Sequence, residues 1–68
     1  MKTTIEMTSK VLTKPDTQAM IKALRQAGFP VDKLSAGYEC KTPKGQTIFK
    51  AMQGHNGYLV RYAKDLFL

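Results

Sequence analysis

The chain is poor in the groups that usually announce a chemistry. It has one cysteine and one histidine, and only five acidic residues among 68. A single cysteine, Cys40, cannot form an internal disulfide, so the fold holds itself together without staples, as reduced intracellular proteins do. No apolar run approaches the length of a membrane span, and the N-terminal MKTTIEMTSK lacks the apolar stretch of a signal peptide. Both absences point to a cytoplasmic protein with no membrane partner. His55 has no Cys, Asp or Glu at metal-ligand spacing and falls in an expected turn. The acids Glu6, Asp16, Asp32, Glu39 and Asp65 are scattered, with no pair suited to acid–base work. Pro43-Lys44-Gly45-Gln46 lacks the several glycines and the Lys-Ser/Thr pair of a phosphate loop. No catalytic residue, metal site or cofactor is therefore expected, and the protein reads as non-enzymatic. There is no repeat, linker or low-complexity tract, and residues 1–68 read as one small domain.

What is present is charge and alternation. Eleven Lys and Arg against five Asp and Glu give a net charge of +6, which favours anionic partners and also serves solubility. The apolar share of 43% is that of an ordinary globular chain. A domain this short buries only about 60% of its unfolded surface, so its stability should be modest.

Residues 2 to 12, KTTIEMTSKVL, alternate with a period of two. Thr3, Ile5, Met7, Ser9 and Val11 share one face, and Lys2, Thr4, Glu6, Thr8 and Lys10 share the other. This predicts a half-buried strand with its lysines outward. A helix over about 14–27 follows. Thr13 is placed as its N-cap and Pro15 falls in the first turn. Thr17, Met20, Ile21, Leu24 and Ala27 form its apolar stripe, and Gly28, Phe29 and Pro30 end it. Alternation returns from 33 to 42, with Leu34, Ala36, Tyr38 and Cys40 on one face and Lys33, Ser35, Gly37, Glu39 and Lys41 on the other. Thr42-Pro43-Lys44-Gly45 fits a turn. A third strand spans 46–53, Asn56-Gly57 signals a hairpin, and a fourth strand starts at Tyr58. The expected fold is α+β in the order β-α-β-β-β. Its sheet is four-stranded and mainly antiparallel, with one helix on one face. The β-α-β crossover should be right-handed if its strands pair in parallel.

The last two strands carry apolar residues on both sides, and one helix covers one face only. Phe49 and Leu59 are expected on the uncovered face, next to the tail Leu66-Phe67-Leu68. These five residues are the candidate protein interface, with self-association through the last strand as a sheet edge. Lys33, Lys41, Lys44, Lys50 and Arg61 are the candidate nucleic-acid contacts, interleaved with Tyr38, Phe49, Tyr58 and Tyr62. Cations beside rings on an open sheet suit single-stranded nucleic acid. Tyr38 and Tyr58 point toward the core, and so does Cys40.

The stretch Met20-Ile21-Lys22-Ala23-Leu24-Arg25-Gln26-Ala27-Gly28-Phe29, followed by Gly37 and the hairpin at Pro43-Lys44-Gly45, loosely resembles the small HicA-type RNA-cleaving toxins. That family's fold is similar to a double-stranded-RNA-binding domain. Its Gly-Ser-His stands as Gly37-Tyr38-Glu39 here, so its catalytic histidine is absent. It also lacks a long first strand, and Tyr58 to Tyr62 replace its later helix. Membership is not assigned. The sequence favours a small basic protein that binds nucleic acid or a nucleic-acid-handling complex, in the manner of a phage or mobile-element accessory factor. The alternative is a regulator or inhibitor that binds protein, an acidic one included, through the apolar last strands, with a homodimer as one form of it.

Overall fold

The structure, a computed structural model, describes residues 6–66. The elements are β1 (Met7–Leu12), α1 (Lys14–Gln26), β2 (Val31–Leu34), β3 (Gly37–Lys41), β4 (Thr47–Gly54) and β5 (Gly57–Ala63). They make one helix on one five-stranded antiparallel sheet in the order β1-β5-β4-β3-β2. The class is the expected α+β, with five strands in place of four. Residues 2–5 of the expected first strand lie outside the described residues, as do Phe67 and Leu68.

The helix begins and ends on local chemistry. Thr13 has extended backbone geometry, its Oγ1 accepts from Asp16 N at 3.4 Å, and Pro15 sits where no donor is missed. At the other end Gly28 takes φ +93° and donates to Arg25 O, while Phe29 N donates to Leu24 O. This is the paired closure that a left-handed glycine permits. Thr17, Ile21 and Leu24 are buried at helical spacing, and Met20 packs beside them. Burying Ile21 and Leu24 is worth about 1.5–3 kcal/mol each, which holds α1 to the sheet.

The fifth strand comes from a turn at Ser35-Ala36 inside the expected 33–42 strand. Leu34 pairs with Gly37 and Val31 with Cys40, so the segment is a hairpin. Folding the chain back exchanges odd and even positions. Lys33 therefore pairs with Tyr38 and shares its side, not that of Glu39 and Lys41. The turn is tied to the sheet by Gln53 N donating to Ala36 O at 2.7 Å. Gly37 allows a close approach, since a Cβ there would lie 1.8 Å from Ala51 O.

The 42–45 turn forms as expected, with Gly45 N donating to Thr42 O at 2.8 Å. At the next hairpin His55 and Asn56 are the central residues, and Gly54 pairs with Gly57. No non-glycine residue among those described has positive φ, so this is not the mirror-image turn that an Asn-Gly pair suggests. Gly57 takes φ +144° against Leu12, whose carbonyl oxygen a Cβ would meet at 2.3 Å. A tertiary contact, not the turn, explains that glycine.

After β1, the chain crosses in α1 to the far edge and returns through three hairpins. The strands flanking the helix lie at opposite edges and do not pair, so no parallel β-α-β unit arises. The last strand, β5, is interior, between β1 and β4. It is not the free edge that strand addition requires.

The core lies between helix and sheet and contains Ile21, Leu24, Cys40, Ile48, Phe49, Ala51, Tyr58 and Val60. Phe49 is 0% exposed in this core. Its expected place on the open face is therefore corrected. A bulge at Cys40/Lys41 breaks the alternation, and both Ile48 and Phe49 enter the core. The faces of β1 are also the reverse of the expected ones. Leu12 packs on the core and Val11 is 71% exposed, because the chain enters α1 immediately after Leu12 and pairs it with Tyr58.

A candidate docking face on the open side of the sheet

The register sorts the open face into rows. Directly paired residues in an antiparallel sheet share a side. Val11 pairs with Leu59, Leu59 with Met52, Met52 with Gly37 and Gly37 with Leu34. An apolar stripe thus crosses all five strands, with a glycine at its β3 position. Val11, Leu59 and Met52 are exposed at 71%, 54% and 38%, and Leu34 is half-buried. Two residues along each strand lies a second row, Ser9, Arg61, Lys50, Glu39 and Asp32. It is acidic on β2 and β3 and basic on β4 and β5.

Within this row Lys50 stands directly opposite Arg61. Like charges in that position repel. Neither has an ion-pair partner among the described residues. Glu39, beside Lys50, is engaged elsewhere. Its Oε2 accepts from Thr47 Oγ1 at 2.9 Å and its Oε1 lies 3.9 Å from Lys41 Nζ. Met7, Glu39, Thr47, Lys50 and Arg61 line a shallow depression of about 300 Å³. A second hollow of about 390 Å³ lies between the loop after α1 and the 42–45 turn, against Phe29, Pro30 and Pro43. Phe29 is 37% exposed, so it caps the helix stripe only in part.

The structure gathers some of the expected site residues and separates others. Lys50, Arg61 and Lys41 share the open face, and Leu59 joins them. Lys44 is exposed on the 42–45 turn. Lys33 lies on the helix side of edge strand β2, away from that group. So does Lys10, at the β1 edge opposite Val60. None of the four rings lies on the open face, Tyr38 and Tyr58 as expected and Phe49 and Tyr62 in addition. Phe49 is in the core, Tyr62 pairs with Phe49, and Tyr38 and Tyr58 pack with centroids 6.5 Å apart. Gln18 Nε2 donates to the Tyr38 hydroxyl at 3.2 Å. The expected interleaving of bases and rings is absent among the described residues.

Leu66 packs against the core cluster, with its N–H donating to Ala63 O. Phe67 and Leu68, the rest of the expected interface tail, lie outside the described residues. Sequence reasoning missed Leu34, Met52 and Val11 as members of one stripe. The available signal was Gly37, a glycine within an alternating run, which marks a bend or a close backbone approach.

Cys40 is fully buried, and burial, aided by the nearby Asp32 charge, pushes its thiol pKa up. That disfavours the reactive thiolate. His55 is exposed in its turn. Among the described residues no three His, Cys, Asp or Glu side chains cluster as metal ligands. No helix there is long and apolar enough to cross a membrane. No family model, curated protein or solved structure matches the chain.

Proposed function

We propose that this protein is a non-enzymatic docking protein that binds another protein through the open face of its sheet. The observation that carries this reading is the stripe of half-buried Leu34 and exposed Met52, Leu59 and Val11, beside a row of mixed charge. An apolar patch with a polar border is the usual form of a protein interface. The displaced rings weigh against the nucleic-acid variant that relies on base stacking, because that mode needs an aromatic platform beside the cations.

A second reading keeps nucleic acid as the partner. It is supported by the net charge of +6 and by the unneutralised Lys50–Arg61 pair, which would take a phosphate between them. Retention of partners by the immobilised chain, with and without nuclease and over a salt series, separates the two. Docking predicts a protein retained after nuclease treatment and at high salt, and lost with Leu59→Gln plus Val11→Gln. Partners released by nuclease or by moderate salt, and lost with Lys50→Gln plus Arg61→Gln, favour the second reading.

A further inference from the structure

We propose that the partner on the open face is a second copy of this chain, packed sheet to sheet about a two-fold axis that runs along the strands between β3 and β4. The proposal rests on the docking reading above and names its occupant. Its argument is the order of charges in the row Asp32, Glu39, Lys50, Arg61, which is acidic on one side of that axis and basic on the other.

A two-fold axis along the strands reverses their lateral order and preserves the level of each residue. It sets β3 of one copy over β4 of the other, and β2 over β5. At the charged level Glu39 keeps its Thr47 hydrogen bond through Oε2 and meets Lys50 of the second copy through Oε1, whose own-chain contact with Lys41 is long at 3.9 Å, and Asp32 meets Arg61. Each contact occurs twice, as an isologous interface requires. At the apolar level Leu34 meets Leu59, and Met52 meets Gly37, the one stripe position without a side chain. Facing sheets pack about 10 Å apart with strands within about 30° of each other, so cross-sheet neighbours are set by level and strand order. Other face-to-face axes fit worse. An axis along β4 places Lys50 on its own copy. An axis across the strands at the charged row stacks every charge on itself. Only the axis between β3 and β4 matches opposite charges throughout and removes the Lys50–Arg61 repulsion by supplying two acids.

The test uses purified full-length chains and needs no other ligand. Light scattering at micromolar concentration should give twice the chain mass for wild type. Lys50→Glu and Glu39→Lys, each folded by circular dichroism, should each be monomeric. Mixed together they should form a heterodimer by native mass spectrometry, because one interface then pairs Glu39 with Lys50 and the other pairs the two exchanged charges. Both variants carry like charges at 39 and 50 within their own chain, so rescue on mixing can only arise between chains. If either reversal fails to fold, Leu59→Gln replaces it and should give a monomer. A wild-type monomer overturns the proposal, as does a dimer that survives both reversals or a mixture that stays monomeric. Such a failure is separate from failure of the docking reading. A wild-type monomer that still retains a nuclease-resistant protein through Leu59 and Val11 leaves docking standing with a different partner.

Discussion

The helix-covered and open faces are built from the same five strands, yet they differ in what happens to apolar side chains. Under α1, Phe49, Ala51 and Val60 are fully buried and the four aromatic rings of the sheet gather. On the other side Leu59 and Val11 remain more than half exposed, next to Lys50 and Arg61. One face is finished by the chain's own helix. The other has apolar groups without a cover and, in Lys50 and Arg61, two cations with no ion-pair partner among the described residues. The contrast teaches that apolar composition does not by itself identify a core residue. Phe49 and Leu59 are both apolar strand residues, and only the register tells which one holds the fold and which one is available to a partner.

The comparison breaks most sharply at Phe49. Phe49→Ala should destabilise the domain by about 3–5 kcal/mol in chemical denaturation, a large part of the total for a chain this small. A loss below about 1 kcal/mol, the size expected of an exposed site, would show that the faces are assigned the wrong way round. Gly37→Ala comes next. Its Cβ would lie 1.8 Å from a backbone oxygen, which cannot move aside as a flexible side chain can, so a loss of about 3 kcal/mol is expected. Wild-type stability in this variant would refute the close β3–β4 approach.

Thr13→Ala removes the N-cap and should lower stability by about 1 kcal/mol, with Thr13→Asn close to wild type. A fourth effect concerns pH. Because burial raises the Cys40 pKa, the folded state holds the thiol proton more tightly than the unfolded state. The contribution is fully present below the unfolded value near 9.0 and is lost as pH rises through the folded value. Denaturation midpoints should therefore fall more steeply above pH 9 in wild type than in Cys40→Ala. In the native chain a thiol reagent should react only as fast as the chain unfolds. The smallest effect belongs to Leu59→Gln on the open face. In dilute solution its stability should lie within about 0.5 kcal/mol of wild type, while its association is lost. A large loss there would make Leu59 a core residue and remove the contrast between the faces.

Much of the fold was legible because local rules govern it. The helix boundaries followed from Thr13, Pro15, Gly28 and Pro30, and the 42–45 turn from Pro43 and Gly45, since caps and turns depend on neighbours a few residues away. The Ser35-Ala36 turn was not legible. It carries no glycine, proline or asparagine at its centre, and the apolar-polar alternation continues across it. Missing that turn misplaced Lys33 and hid the stripe, because a hairpin exchanges the parity of every residue beyond it. The bulge beside Lys41 had the same effect on Ile48 and Phe49. Of the candidate site, Lys41, Arg61 and Leu59 lie on the open surface as expected, Lys50 joins them only through its pairing with Arg61, and Phe49, Lys33 and Leu66 lie elsewhere.

The class was readable from the residues alone: a basic chain, one amphipathic helix with its caps, and alternating strands joined by turns. These are local properties, expressed in periods of 3.6 and 2 and in single residues with restricted backbones. Tertiary structure decided the rest. It placed β5 between β1 and β4, turned Val11 out and Leu12 in, and aligned four apolar residues from different strands into one stripe. It also set two acids and two bases on opposite halves of one row. Those arrangements depend on which strands pair and in what register, and pairing is settled by the joint burial of residues far apart in the chain under a single helix.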